Sequence, residues 1–243
     1  MARFILVHGA WHGGWCWDEV SPRLTELGHQ VRAPDLPGMG ADAASGHVAT
    51  LDEWAMFIAG IASAQDEPAI LVGHSRGGIV ISRAAELAPQ AVQRLVYLAA
   101  VMPSPGETMA DLFQSGGQDR SPQVADAISM SEDGRTMVWH SREAAIRAFY
   151  GTTPPERAEA AFARLTAEPA NVRTAPVLLS STRYGAVPRS YIHCEDDRAV
   201  TPDLQRLMVA RQPCDTYSLK ADHSPFYSAP DELTALLHTI ASN

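Results

Sequence analysis

The chain has 243 residues, a net charge of −9 and 46% apolar residues, which suits one globular domain, or one domain carrying an insertion. There is no basic run, which argues against nucleic acid or an anionic membrane as partner, and no apolar run approaches the roughly 20 residues that span a bilayer. Three cysteines, Cys16, Cys194 and Cys214, are too widely spaced for a disulfide framework or a zinc site.

Short apolar runs alternate with longer amphipathic ones, the pattern of an α/β fold: a mostly parallel sheet of about six strands with helices on both faces. The apolar stretch Phe4–Val7 is too short for a signal-peptide core and lacks a small-residue cleavage site. Arg3–Val7 is therefore expected to be the first strand of a cytoplasmic protein. A helix is expected over Gly14–Leu27, stopped by Gly28, then a strand over Gln30–Ala33 and a helix over Leu51–Ala64. The strand Ala69–Val72 leads into a helix over Ser75–Ala88, stopped by Pro89, and a strand follows over Arg94–Ala99.

The alternation then breaks. From Met102 the chain holds the Pro/Gly-rich segment Met102-Pro-Ser-Pro-Gly106, the polar segment Ser115–Ser121, and helical patterns at Ser141–Tyr150 and Pro154–Ala167. A stretch this long with helices of its own reads as a helical cap, residues 102–187, inserted into a core made of residues 1–101 and 188–243. The core resumes with a strand over Arg189–Cys194, a helix over Thr201–Arg211 with Pro202 near its start, a strand over Thr216–Leu219 and a helix over Pro230–Ala241.

Gly73-His-Ser-Arg-Gly-Gly78 lies between the apolar run Ala69–Val72 and the helical pattern Ile79–Leu87. This is G-x-S-x-G in the strand–turn–helix setting that gives the motif its meaning. The turn forces Ser75 into a strained conformation, and Gly73 and Gly77 remove side chains that would collide. The helix that follows aims its positive end at the reaction site. The competing reading is a tight turn with a passive serine.

A serine hydroxyl needs a neighbouring imidazole to take its proton. Hydrolases built on this elbow place the residues in the order Ser, acid, His, with the histidine after the last strand. Of nine histidines, His223 lies there, in Lys220-Ala-Asp-His-Ser-Pro-Phe226. The acid should follow the preceding strand, where Glu195, Asp196 and Asp197 crowd together and spacing alone does not choose. Asp222 reads as a loop cap, and Asp35 is a distant alternative. For the oxyanion, one donor is the backbone N–H of Arg76, and the other falls in the loop after the first strand, at Ala10, with Gly9 allowing close approach. Gly9, Trp11, Leu112, Phe113, Trp139, Phe149, Tyr150 and Phe226 form the candidate substrate wall, apolar enough for a hydrophobic acyl or alkoxy group. The alternative is that the cap aromatics only pack the cap onto the core.

Together, Phe4-Ile-Leu-Val-His-Gly-Ala-Trp-His-Gly-Gly-Trp-Cys-Trp17, the elbow, Val187-Pro-Arg-Ser-Tyr-Ile-His-Cys194, Asp197-Arg-Ala-Val200 and Ala221-Asp-His-Ser-Pro-Phe226 resemble the methylesterase/hydroxynitrile lyase branch of the α/β-hydrolases, most of all its bacterial esterases. The likeness covers nearly the whole chain and is weakest over Gln114–Thr136. It implies the α/β-hydrolase fold, Asp197 as the acid, and Ala10 as the second oxyanion donor. Bacterial members hydrolyse hydrophobic esters such as pyrethroids, and others cleave the carbamate of benzimidazole fungicides. Lyase members carry a lysine directly after the histidine and a threonine near the oxyanion loop. Here those positions are Ser224 and Gly9, so lyase activity is not expected.

The expectation is a serine hydrolase that acts on a hydrophobic small-molecule ester through an acyl-enzyme and needs no metal or organic cofactor. A carbamate or amide hydrolase with the same residues is the first rival, and a non-catalytic ligand binder of the same fold is the second. A homodimer is neither required nor excluded by the residues.

Overall fold

A computed structural model describes residues 1–116 and 127–242, so the polar segment Ser115–Ser121 lies outside the described residues from 117 onward. The core sheet contains β1 (Arg3–Val7), β2 (Gln30–Arg32), β3 (Ala69–His74), β4 (Val92–Leu98), β8 (Arg189–Cys194) and β9 (Asp215–Leu219). Its order is β2-β1-β3-β4-β8-β9, and every pairing is parallel.

The central strands are apolar on both sides because both sides are covered. Along β3, Ala69 and Leu71 enter one buried cluster, while Ile70 and Val72 enter the other, the two-residue period of a strand. The first cluster packs against α2 (Leu51–Ser63), α3 (Gly77–Leu87) and α7 (Pro202–Arg211). The second packs against α1 (Val20–Glu26) and α9 (Pro230–Ala241). Thr50 starts α2 with a capping box: its hydroxyl accepts from Glu53 N at 3.2 Å, and Thr50 N donates to Glu53 Oε2 at 2.7 Å.

The structure departs from sequence expectation in three places. The expected helix over Gly14–Leu27 is a 3-10 turn, Gly14–Trp17, followed by α1. Pro22 has no N–H to give a preceding turn and suits only the first turn of a helix, so α1 begins just before it. The expected helix over Pro154–Ala167 stops early, as α6 (Pro155–Phe162). Thr166 N–H donates instead to Trp11 O at 2.9 Å, which draws the chain out of the helix.

The segment between β4 and β8 is also not purely helical. Besides α4 (Met109–Ser115), α5 (Arg142–Phe149) and α6, it contains a three-stranded antiparallel sheet of β5 (Ile128–Met130), β6 (Thr136–Trp139) and β7 (Glu168–Pro169). A short helix, α8 (Pro225–Ser228), follows β9. Among the described residues, no helix is long and apolar enough to cross a membrane.

Strand order reverses direction beside β1: the chain moves outward to β2, then returns to place β3 on the other flank. In open parallel sheets the crevice at such a reversal, at the carboxyl ends of the strands, is where ligands bind. The loop Gly9–Trp11 and the turn at Ser75 both open there. The approach is tight, because a Cβ on Gly77 would lie 2.7 Å from Val7 O and 2.9 Å from His8 O. Gly77→Ala is therefore expected to destabilise the fold by about 1–3 kcal/mol, as overpacking does. Urea unfolding measures this, and an unchanged midpoint would show that the contact yields freely.

Candidate active site

The turn at Ser75 is built by sterics. Ser75 has φ 53°, a left-handed conformation that costs a non-glycine residue on the order of 1 kcal/mol or more. Backbone bonds hold it there: Ser75 N donates to Leu98 O at 3.2 Å, and Ser75 O accepts from Gly78 N at 3.1 Å and Val101 N at 2.9 Å. A Cβ on Gly73 would meet Gly77 O at 2.7 Å, and one on Gly9 would meet Ser75 Cβ at 2.9 Å. The three glycines thus let the turn form and let the loop after β1 lie directly against it.

His223 follows β9 and is buried. Its Nδ1–H donates to Asp197 Oδ2 at 2.8 Å, a bond that fixes the tautomer and leaves a lone pair on Nε2. Asp197 follows β8. Its Oδ1 accepts from Ala199 N at 2.7 Å and Val200 N at 2.9 Å, and its Oδ2 also accepts from Gln205 Nε2 at 3.2 Å. Glu195 and Asp196 are exposed. Asp35 caps a loop, accepting from Gly14 N at 2.7 Å and Ala41 N at 3.1 Å.

His74 Nε2–H donates to His223 O at 2.7 Å, and the two rings lie 4.7 Å apart, which brings the imidazole loop to the elbow. No hydrogen bond joins Ser75 Oγ to His223 Nε2 in this conformation. Beside the elbow, the backbone N–H groups of Ala10 and Arg76 have no acceptor among the described residues.

The aromatic residues divide into two groups. Phe149 stacks on His223 at 5.5 Å, Trp11 lies 5.5 Å from Trp139 and 5.8 Å from Phe149, and Phe226 lies 5.0 Å from His74. Tyr150 joins them through its hydroxyl, 2.8 Å from His12 Nε2. Leu112 and Phe113 on α4 belong instead to the cluster that holds Leu204 and Met208, on the other face of the sheet. The structure therefore places five of the seven expected apolar side chains in one cluster and the other two in the second.

No sequence motif marks three of the buried polar residues around the site, His12, Gln205 and Glu168, and Asp222 does more than the loop cap expected of it. His12 donates from Nδ1 to Ala10 O at 2.7 Å and accepts from Tyr150 at Nε2. Gln205 holds Asp197 and also bonds to Cys194 and Val200. Asp222 caps its own loop through Ser224 N at 2.9 Å, and its Oδ2 accepts from Thr152 N, Thr153 N and Thr153 Oγ1 at 2.8–2.9 Å. Glu168 contacts Trp11 and Arg76.

Burial lowers the pKa of His8 and His74 well below the ordinary 6.5 and takes His12 to about 3. These rings are neutral in the fold and bind protons more readily once unfolded. Their contribution to stability is complete above pH 6.5 and is lost as the pH falls toward their folded values. The urea midpoint should therefore drop already between about pH 7 and pH 5, before most carboxylates titrate. A midpoint flat across that interval would contradict the neutral-ring assignment.

The profile of the alpha/beta hydrolase family matches residues 4–236. Methylesterase 7 of Arabidopsis thaliana is 35% identical over 250 residues, covering 98% of this chain and 96% of its own. Methyl jasmonate esterase 1 of Vitis vinifera is 32% identical, covering 99% and 97%. The crystal structure of a pyrethroid hydrolase from Sphingobium faniae JZ-2 superposes with a TM-score of 0.89 at 31% identity, covering 99% of this chain and 97% of that one. The chain belongs to the alpha/beta hydrolase family, in the esterase branch that includes the plant methylesterases.

Proposed function

We propose that the protein hydrolyses a carboxylic ester of a hydrophobic small molecule, with Ser75 as nucleophile, His223 as general base and Asp197 as the acid that orients it. The observation that carries this reading is the pair of N–H groups, Ala10 and Arg76, that have no acceptor among the described residues and flank a serine held at φ 53°. Buried amides are normally paired, and donors left open beside a strained serine are what an oxyanion requires.

Ser75 Oγ attacks the ester carbonyl while His223 Nε2 takes its proton. The carbonyl oxygen becomes an oxyanion and accepts from Ala10 N–H and Arg76 N–H. Collapse breaks the bond to the alkoxy group, which leaves as the alcohol with the proton from His223. Water then attacks the acyl-enzyme, again losing its proton to Nε2, and the acid departs as Ser75 recovers its hydrogen. The step needs Oγ to reach Nε2 by rotation about the Ser75 side chain. Such bonds are commonly long in free enzymes and tighten when substrate is bound.

We assign residues 102–187 the role of cap. Its Trp139, Phe149 and Tyr150, with Trp11 from the core, give the apolar lining that favours a hydrophobic substrate, and Phe149 covers one face of the His223 ring. The likeness to a pyrethroid hydrolase points the same way.

A fluorophosphonate should label Ser75 stoichiometrically, and the label should be absent from Ser75→Ala. Ser75→Ala is expected to lose several orders of magnitude in kcat on aryl esters, and Asp197→Asn roughly 10⁴-fold, with the fold intact by circular dichroism. Turnover in Ser75→Ala near that of the parent, or an unlabelled parent, refutes the assignment.

A further inference from the structure

The loop that bears the Ala10 N–H is fixed by side chains at both of its peptide groups. The carbonyl of Gly9, which shares a peptide plane with Ala10 N–H, accepts from Arg76 Nη2 at 3.0 Å and from His8 Nδ1 at 2.9 Å. In the next peptide, the Ala10 carbonyl accepts from His12 Nδ1 at 2.7 Å, and Trp11 N–H donates to Glu168 Oε2 at 3.0 Å. Trp11 itself is left-handed, with φ 61°, a conformation a tryptophan keeps only under external restraint.

Glu168 and Arg76 also bind each other. Arg76 Nε lies 2.9 Å from Oε1 and Nη2 lies 3.3 Å from Oε2, with side chains only 1% and 3% exposed. The guanidinium lies over the Trp54 ring at 4.1 Å. Among the described residues, Arg76 Nη1 has no partner, so the pair is not a fully satisfied one. Burial pushes the Glu168 carboxyl above the ordinary carboxylate range, against the pull of Arg76 and Trp11 N–H.

A buried ion pair of this kind adds little net stability, because desolvation offsets the attraction and apolar replacements are often neutral. Its geometry suggests a different role. A trans peptide is planar, so a clamped carbonyl aims the N–H on its opposite edge. The Arg76 side chain clamps Gly9 O, while the Arg76 backbone supplies the other open N–H. Glu168 holds that side chain in place and pins the peptide that follows Ala10.

We propose that Glu168, acting through Arg76, is a positioning residue that presets both donors of the oxyanion hole. This rests on the assignment of Ser75 as nucleophile. It ties oxyanion stabilisation to β7, in the segment between β4 and β8, because Glu168 begins that strand.

The test uses two variants of the full chain. Glu168→Gln keeps the shape and removes the charge. The double variant Arg76→Met/Glu168→Leu removes both charges and should melt within a few degrees of the parent, which separates positioning from stability. Each is measured for kcat and KM on a short aryl ester and for affinity to a trifluoromethyl ketone. With that ketone, Ser75 Oγ adds to the carbonyl carbon, its proton passes to His223, and the carbonyl oxygen becomes a bound oxyanion.

In both variants kcat should fall about tenfold to hundredfold, less than the loss of a whole oxyanion donor. KM should stay within about twofold, and ketone affinity should weaken by the same factor as kcat. A folded double variant with the parent's kcat and ketone affinity overturns the inference while leaving Ser75 labelled by fluorophosphonate. A rise in KM alone, with ketone affinity unchanged, overturns it as well. An unlabelled Ser75 in the parent would instead remove the hydrolase reading beneath it.

Discussion

A chain that ends a buried parallel strand at His74 and starts a helix at Gly77 has two residues in which to turn, and Ser75 has to pass through a left-handed conformation to do it. Much of the site follows from this constraint. The turn sits at the carboxyl edge of the sheet and leaves the Arg76 N–H, just ahead of α3, without an acceptor among the described residues. It forces glycine at 73 and 77, because β3, α3 and the end of β1 meet there at backbone distance. The strain at Ser75 is balanced by hydrogen bonds from β4 and the residues just after it, so elbow and sheet hold each other in place.

Around this turn, polar side chains are buried in numbers that a core seldom tolerates. They persist because most of the ring nitrogens and the carboxylate oxygens of Asp197, Asp222 and Glu168 have a partner, with His74 Nδ1 an exception among the described residues. His8, His12, His74 and His223 each donate through one nitrogen to an oxygen within 2.9 Å, which sets a tautomer at every ring. Asp197 is held by Gln205 and by two amides of the turn that leads into α7, so its orientation does not depend on the imidazole it supports. A network fixed in this way needs little rearrangement when charge develops, the property that makes a polar site effective.

The core was legible because its strands are covered on both faces. A fully buried parallel strand is an apolar run between turn signals, so β1 and β8 could be read to the residue and the others to within two. Ser75 and His223 were legible because glycine pairs and strand ends mark their places, whereas Asp197 needed family resemblance to separate it from two neighbours of the same charge. The inserted segment was less readable. β5 and β6 are three and four residues long and partly exposed, and the Asp133-Gly134 hairpin signal between them is weak beside the helical periodicity that follows. Glu168 gave no motif at all: a lone carboxylate between Ala167 and Pro169 looks like any surface residue until its partner, 92 positions away, is known.

Asp222 reaches in two directions. Through Ser224 and Ser228 it shapes the loop that carries His223, and through Thr152 and Thr153 it ties the chain between α5 and α6 to that loop. The insert is thus anchored at a residue adjacent to the imidazole, and again at the loop after β1, where Trp11 Nε1–H donates to Met137 O of β6 at 3.0 Å. Divergence in this scaffold is therefore channelled: neither the threonine pair nor the β6 backbone at Met137 can drift without pulling on a loop that lines the crevice. Length and composition are freest to change at the exposed turn 132–135, which neither tie includes.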